Sequence, residues 1–313
     1  MKIALLEDLG CSPEIISQNT EKLAQLGHEF RAFPKTADLA TLKEEVKDAD
    51  VIMLANMPLP AEVLAAAPKA KFIDVAFTGV DHIPVDAAHK AGIAISNASG
   101  YADEAVAELA VSLMIQLLRQ TGEAEKRARS GGVKTGLSAR LIEGKTAGII
   151  GAGEIGRRLA KILKAFGATV IAHNRREVQD PSIDKNVTLD ELLETADIIS
   201  LHCPLTPQTR GMLGKKEFEK MKESAILINT ARGPVVDNAA LADALNKGEI
   251  AGAAIDVFDM EPPLPADYPL LHAKNAILTP HIGFYSQESL DRRANIVFEN
   301  LYAWLEGRQQ NRI

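Results

Sequence analysis

The sequence has few cysteines, no long apolar run and no excess of positive charge. Its two cysteines, Cys11 and Cys203, form no CxxC pair, which predicts neither a disulfide framework nor a zinc site. The longest membrane-like run, "LAVSLMIQLL", is too short to span a bilayer and contains polar residues. A formal net charge of -7 argues against nucleic acid or an anionic membrane as the main partner, because phosphates are bound by basic surfaces. We expect a cytoplasmic protein without a signal peptide that binds a small molecule and no metal.

The chain has 313 residues, a length that favours two domains over one. Short apolar runs alternate with amphipathic segments, which is typical of βα units around parallel sheets. The first block of candidate strands comprises "KIALLE", "HEFRAF", "DVIMLA", "KFIDVAF" and "GIAISN". The second comprises "KTAGIIG", "TVIAHN", "DIISLHC", "AILINTA", "AGAAIDVF" and "AILTPHI". We predict an α/β fold with two doubly wound parallel-sheet domains.

Capping residues mark three helix starts, at Ser12 before Pro13, at Thr188 with Glu191, and at Asp237. One long helix is predicted between the blocks, from about residue 101 to about 129, and a last helix from about 286 to about 306. The middle of the long helix is apolar over more than one face. This pattern favours burial against another surface, such as a second subunit.

The stretch "AGIIGAGEIGRRLAKI" places Gly151, Gly153 and Gly156 in GxGxxG spacing between a strand and a helix. The first glycine permits a tight turn, the second lets a pyrophosphate approach the backbone, and the third allows close packing of helix and strand. A glycine-rich loop of another fold is the alternative. The flanking strand and helix favour a dinucleotide-binding turn, with the pyrophosphate at the helix N-terminus.

The next strand ends in "AHNRREV", where an NAD-binding domain would have an acid for the ribose hydroxyls. This chain has Asn174 there, followed by Arg175 and Arg176. A charge-assisted hydrogen bond to the 2′-phosphate of NADP contributes about 1.5–3 kcal/mol. We predict that NADP(H) is favoured over NAD(H). Asn174 can still bind an unphosphorylated ribose, so this is a preference and not an exclusion of NAD(H). The alternative is that the two arginines are solvated surface residues.

Polar residues follow three later candidate strands, in "LINTARGPVVD", "AAIDVFDMEPP" and "ILTPHIGFYS". The carboxyl ends of parallel strands line one crevice, so we expect Arg232, Glu261 and His281 to converge there. They fit the reduction of a 2-keto acid: the guanidinium binds the carboxylate and carbonyl, and the imidazole, paired with the glutamate, protonates the carbonyl oxygen. The alternative is a surface ion pair, a loop carboxylate and a buried histidine.

Together, "GAGEIG", "NTARGPVVD", "DVFDMEP" and "LTPHIG" resemble the D-isomer-specific 2-hydroxyacid dehydrogenases, and "FTGVDHI" and "SGYADEAVAE" extend the resemblance over nearly the whole chain. The resemblance implies a flavodoxin-like substrate domain of residues 1–99 and 285–313 and a Rossmann cofactor domain of residues 100–284. It also implies a homodimer formed through the long apolar helix. The same family includes corepressor scaffolds and the formate and phosphite dehydrogenases, which are the alternative functions.

The resemblance also implies a role for individual residues. Arg232 would bind substrate, His281 would be the acid/base and Glu261 its partner, while backbone N–H groups of Thr78, Gly79 and Val80 would hold the substrate carboxylate. Asp256 would contact the nicotinamide, and the other cofactor-binding residues would be Gly151, Gly153, Glu154, Ile155, Gly156, Asn174, Arg175, Arg176, Cys203, Pro204, Thr209, Thr230, Ala231 and Gly283. Aromatic side chains at Tyr101, Phe284 and Tyr285 would close a small pocket, which favours glyoxylate, hydroxypyruvate or pyruvate; alternatively, they only pack.

Overall fold

The computed structural model describes residues 1–313 and contains two parallel-sheet α/β units. The first unit comprises Met1–Ala102 with Tyr285–Ile313, and the second comprises Asp103–Phe284. The first boundary lies three residues after the one expected between residues 99 and 100, and the second lies at the expected place. No helix is long and apolar enough to cross a membrane.

The strands are all short, and they occur in the order expected for alternating βα units. They are β1 (Lys2–Leu5), β2 (Glu29–Ala32), β3 (Val51–Leu54), β4 (Phe72–Val75), β5 (Ala94–Asn97), β6 (Thr146–Ile150), β7 (Thr169–His173), β8 (Lys185–Asn186), β9 (Ile198–Leu201), β10 (Ile226–Asn229), β11 (Gly252–Ile255) and β12 (Ala276–Leu278). Every predicted strand is present. Only β8 was missed, because two polar residues at a sheet edge carry no apolar pattern.

The helices connect these strands and are α1 (Pro13–Gln25), α2 (Leu39–Val46), α3 (Ala61–Ala65), α4 (Val85–Lys90), α5 (Asp103–Arg119), α6 (Thr121–Arg129), α7 (Glu154–Ala165), α8 (Leu189–Thr195), α9 (Lys215–Phe218), α10 (Asn238–Lys247) and α11 (Gln287–Leu305). Two 3₁₀ turns, Gly233–Val235 and Pro269–His272, complete the set. The last helix agrees with its prediction within one residue at each end.

The first unit has a five-stranded parallel sheet in the order β2-β1-β3-β4-β5. The chain starts at β1, moves outward to β2, and then returns to build β3, β4 and β5 on the other side. Such a reversal creates a switch point at the carboxyl ends of β1 and β3. The residues of β3 and β4 are buried at every position, which explains why their sequences are apolar without alternation.

The second unit has a seven-stranded parallel sheet in the order β12-β11-β10-β9-β6-β7-β8. Its switch point lies between β6 and β9, where Ile150 pairs with Leu201. On the other side of β6, Ile150 pairs with His173. Ligands bind outside the carboxyl ends of strands at such a point, so the topology by itself places a site beside the glycine-rich turn.

The predicted single helix over residues 101–129 is wrong, because the structure breaks it at Gln120. This residue has a left-handed backbone with φ of 50°, and it separates α5 from α6. Its side-chain oxygen accepts a hydrogen bond from Ser138 N at 3.0 Å, which ties the break to a later loop. The apolar surface of α5 packs largely within its own unit, where Ala107, Ala110 and Met114 join the core around β6 and α7. Its role in a dimer stays a prediction.

Two of the three predicted helix caps are confirmed. The side chain of Thr188 accepts a hydrogen bond from Glu191 N, and that of Asp237 accepts from the first N–H groups of α10. Ser12 does precede α1, but its side chain does not cap the helix. Its hydroxyl donates instead to Asp291 on α11, at 2.8 Å, and so connects the two ends of the first unit's chain.

Candidate active site

The glycine-rich turn between β6 and α7 has the shape that a pyrophosphate site requires. Gly151 has φ of 96°, and a Cβ atom built there would lie 2.5 Å from Cys203 N. A Cβ atom on Gly156 would lie 2.3 Å from the carbonyl oxygen of Gly151. Gly153 differs, since a Cβ atom there would meet no heavy atom within 4 Å. Gly151 and Gly156 therefore permit close packing of neighbouring segments of the chain. Gly153 borders open space at the N-terminus of α7, and this space suits the pyrophosphate of a dinucleotide.

The tip of β7 lies beside this turn. The N–H of Gly151 donates to the carbonyl of His173 at 2.9 Å. Asn174, the residue after His173, therefore lies next to the glycine-rich turn. Asn174, Arg175 and Arg176 are all exposed. The Asn174 side chain donates to the carbonyl of Arg176 at 3.0 Å and folds the tip back on itself. The structure thus groups the three residues predicted to select the cofactor.

The end of β9 forms the other side of the switch point and carries no titrating charge near neutral pH. Burial lowers the pKa of His202 to about 4, and its Nε2 lies 2.8 Å from the hydroxyl of Ser200. Burial also raises the pKa of the Cys203 thiol, which keeps it protonated. The hydroxyl of Thr209 donates to the carbonyl of Pro204 at 2.7 Å and so closes the loop that follows.

Arg232 lies in the loop after β10, and Asn229 shapes this loop. The amide of Asn229 donates to the carbonyl of Arg232 at 3.1 Å and accepts from Ala231 N at 3.1 Å. A Cβ atom on Gly233 would lie 1.8 Å from the carbonyl oxygen of Phe258, so the loop packs directly against the loop after β11. The side chain of Thr230 is buried in this loop. Sequence reasoning missed Asn229, whose only signal was a polar residue at the end of an apolar strand.

The structure places His281 and Glu261 in contact. Imidazole Nδ1 lies 3.0 Å from Oε1 and 3.2 Å from Oε2 of the glutamate, and the ring of Phe284 meets the imidazole edge-on with centroids 5.4 Å apart. The histidine has a left-handed backbone with φ of 58°, and its N–H donates to the carbonyl of Asp256 at 2.9 Å. With Nδ1 bound to a carboxylate, the proton that this imidazole can transfer is the one on Nε2.

Asp256 holds the loop that carries this histidine. One carboxylate oxygen accepts from the hydroxyl of Thr279 at 2.6 Å and from Ile282 N at 2.8 Å, and the other accepts from Gly283 N at 2.8 Å. The aspartate is buried. Its predicted contact with the nicotinamide stays a prediction, whereas its hold on the 279–283 loop is a contact that the sequence did not reveal.

The predicted substrate-binding residues of the first unit comprise one turn and two tyrosines with different exposure. Thr78, Gly79 and Val80 form the turn after β4, and none of their N–H groups donates a hydrogen bond in the structure. Tyr101 is buried, with its ring centroid 6.1 Å from that of Phe77. Tyr285, by contrast, is 67% exposed, and its predicted place in a pocket wall stays a prediction.

A Rossmann-type sheet, a glycine-rich turn at its switch point and a paired histidine and glutamate define the class of dinucleotide-dependent oxidoreductases. Residues 111–283 match the family model described as "D-isomer specific 2-hydroxyacid dehydrogenase, NAD binding domain", and the chain belongs to this family. It is an NAD(P)-dependent D-2-hydroxyacid dehydrogenase, as the motifs predicted.

Relatives that match most or all of the chain agree with this assignment. A glyoxylate reductase of Korarchaeum cryptofilum is 40% identical over 84% of this chain and 82% of its own length. A hydroxypyruvate reductase of Blautia hydrogenotrophica is 34% identical over 99% of both chains. Among solved structures, an acyclic imino acid reductase in complex with NADPH and D-Arg has a TM-score of 0.91, with 28% identity over 100% of both chains.

Proposed function

We propose that this protein reduces a small 2-keto acid to the D-2-hydroxy acid, with glyoxylate, hydroxypyruvate or pyruvate as the substrate class. The observation that carries the proposal is the contact between His281 and Glu261, in the same unit as the glycine-rich turn. Relatives that act as glyoxylate and hydroxypyruvate reductases support the substrate class.

The proton is delivered by His281 in the proposed reaction. Glu261 accepts the hydrogen bond from Nδ1, which orients the ring and leaves Nε2 to carry the proton that is transferred. Phe284 packs against the ring and limits its rotation. A nicotinamide, when bound, would supply the hydride to C2 of the keto acid. His281 is the group that protonates the carbonyl oxygen as charge develops on it.

The substrate is held through its carboxylate and its carbonyl oxygen. Arg232 presents a planar guanidinium that suits both groups, and Asn229 fixes the loop from which it extends. In the first unit, we propose that the N–H groups of Thr78, Gly79 and Val80 bind a carboxylate, because none of them donates a hydrogen bond in the structure. Backbone donors on a glycine-containing turn form a suitable anion site.

We also propose that NADPH is the favoured reductant. The exposed Arg175 and Arg176 follow Asn174 at the β7 tip, where no acid would repel a 2′-phosphate. One charge-assisted hydrogen bond, at about 1.5–3 kcal/mol, corresponds to about a 10- to 150-fold preference. The bound NADPH of the acyclic imino acid reductase supports this preference.

Steady-state kinetics with a panel of 2-keto acids, each with NADPH and with NADH, test both proposals. We expect the highest kcat/KM with a two- or three-carbon keto acid and NADPH. Arg175→Ala with Arg176→Ala should reduce the NADPH preference, whereas Arg31→Ala, at an exposed position on β2 of the first unit, serves as the matched control. Higher kcat/KM with NADH than with NADPH would overturn the cofactor proposal. If none of the keto acids in the panel supported oxidation of NADPH or NADH, the proposed reaction would be overturned.

A homodimer is also proposed, formed through α5 and α6. The support is α6, a helix with no buried residue, together with the exposed apolar side chains Val133 and Leu141 in the segment that follows it. Sedimentation equilibrium tests this directly, and a monomer at micromolar concentration would contradict it.

A further inference from the structure

A buried asparagine connects the end of β5 with the turn after β4. Asn97 is the last residue of β5 and is 7% exposed. Its side-chain Nδ2 donates to the carbonyl oxygen of Thr78 at 2.7 Å, and its Oδ1 accepts from Ser99 N at 3.3 Å. The turn that contains the unpartnered N–H groups is therefore held from behind by a single side chain amide.

Asn97 is itself fixed by the last helix. The Asn300 side chain, which is fully buried on α11, donates one hydrogen bond to the carbonyl of Asn97 at 2.9 Å and one to Asp74 Oδ1 at 3.0 Å. Its oxygen accepts from Asn311 Nδ2 at 2.8 Å. Burial raises the pKa of the Asp74 carboxyl well above its ordinary value, which keeps this network uncharged. Asp74 Oδ2 has no hydrogen-bond partner, but the two bonds donated by Asn300 and the one it accepts fix the carbonyl of Asn97 in place.

The bond to Thr78 also determines where a neighbouring N–H points. The carbonyl of Thr78 and the N–H of Gly79 belong to the same planar trans peptide group, in which the C=O and the N–H point in opposite directions. Because Asn97 fixes the carbonyl, it also fixes the Gly79 N–H on the opposite side of the turn. The other backbone hydrogen bonds at the turn run from Ile83 N to the carbonyl of Val80 at 3.2 Å and from Ala98 N to the carbonyl of Phe77 at 3.0 Å, and neither involves the peptide group between Thr78 and Gly79.

We propose that Asn97 is a positioning residue for substrate binding, which aims the Gly79 N–H at the substrate carboxylate. The inference rests on the proposed function, since it requires the turn to bind a carboxylate. It adds a residue that touches neither substrate nor cofactor, and it extends the machinery of binding through Asn300 to the last helix.

The variant Asn97→Asp tests this role, because aspartate has the same shape but as a carboxylate cannot donate to the Thr78 carbonyl. We expect KM for the best 2-keto acid to rise about 10- to 100-fold, since a displacement of about 1 Å in a binding group has effects of that size. The inhibition constant of oxamate, a carboxylate that is not reduced, should rise in parallel. The Kd of NADPH should stay unchanged, and kcat should fall less than KM rises.

Ser96→Ala is the matched control. Ser96 precedes Asn97 on β5 and is fully buried, and its hydroxyl donates to the carbonyl of Gln310 at 2.6 Å instead of to the turn. Ser96→Ala removes this hydrogen bond and the one that the hydroxyl accepts from Gln309 Nε2 at 3.4 Å, so any general loosening of the unit appears in both variants. We expect Ser96→Ala to lower the melting temperature without the rise in KM.

The outcomes separate the inference from the function on which it rests. Suppose that the wild type turns over a keto acid. The inference alone is then overturned if the KM of Asn97→Asp lies within about twofold of wild type, or if Ser96→Ala raises KM by the same factor as Asn97→Asp. Absence of turnover by the wild type with every keto acid overturns the proposed function and the inference with it. If Asn97→Asp does not fold, Asn97→Ser removes the long donor without adding charge and carries the same expectation.

Discussion

Lowering the pH should destabilise this protein through His202, and replacing this histidine should remove that part of the loss. An unfolded histidine binds a proton with a pKa near about 6.5, whereas burial lowers the pKa of folded His202 to about 4. At a pH above its unfolded pKa, a histidine whose folded pKa is lowered does not reduce the free energy of unfolding. Its penalty grows as the pH falls from the unfolded to the folded value, because only the unfolded state takes up the proton.

The magnitude follows from the width of that window. Between about pH 6.5 and about pH 4.5 the shift covers about two pH units, and at about 1.4 kcal/mol per unit the free energy of unfolding falls by about 2.5 kcal/mol. His202 retains some solvent contact, so this is an upper value. The residue follows β9 directly and its ring meets the buried Ser200, so a charge there would be poorly solvated.

Urea unfolding of wild type and His202→Gln at about pH 7 and about pH 4.5 measures the effect. Circular dichroism is the appropriate signal, because the only tryptophan, Trp304, lies in the first unit and His202 lies in the second. We expect the variant to lose about 2 kcal/mol less than wild type on acidification. His89→Gln, at an exposed helix position, controls for the substitution itself. An equal acid loss in wild type and His202→Gln would refute the reasoning.

Three further outcomes are expected. His281→Ala should lower kcat by about 10²–10⁴ with little change in the Kd of NADPH, and near-normal turnover would show that the proton donor is another group. Glu7 accepts hydrogen bonds from Ala55 N at 2.8 Å and Met57 N at 2.7 Å. Glu7→Ala should therefore lower the free energy of unfolding in urea by about 2–4 kcal/mol, and Glu7→Gln, which keeps an acceptor, should lower it clearly less. Equal losses in the two variants would contradict this. Because burial raises the pKa of Asp74, the contribution of this residue to stability should decrease as the pH rises above the ordinary value for aspartate. Asp74→Asn should therefore gain stability relative to wild type with rising pH in thermal melts, and a difference between the two that does not change with pH would argue against it.

The sequence by itself determined the strands and the glycine-rich turn. Strands buried on both faces, such as β3, β4 and β9, are recognisable because every residue in them is excluded from water, and local caps such as Asp237 announce helix starts within three residues. The spacing of Gly151, Gly153 and Gly156 is equally local, since the turn and the first helical turn that need them are contiguous.

Other features depend on which segments meet, and a local pattern carries no such information. The break at Gln120 involves a loop 18 residues later, and Ser12 bonds to Asp291 instead of capping its own helix. The two-residue strand β8 exists only because β7 lies beside it.

The same distinction applies within the candidate site. The motifs identified Arg232, Glu261 and His281 as chemical groups, but their placement depends on neighbours from other strands. Asp256 holds the loop of the histidine across 23 to 27 residues of sequence, and Asn97 reaches back 19 residues to Thr78. The residue types identify the reactive groups, whereas the tertiary fold determines the hydrogen bonds between loops. The reason is that a buried polar side chain needs a hydrogen-bond partner, and this partner can lie far away in the sequence.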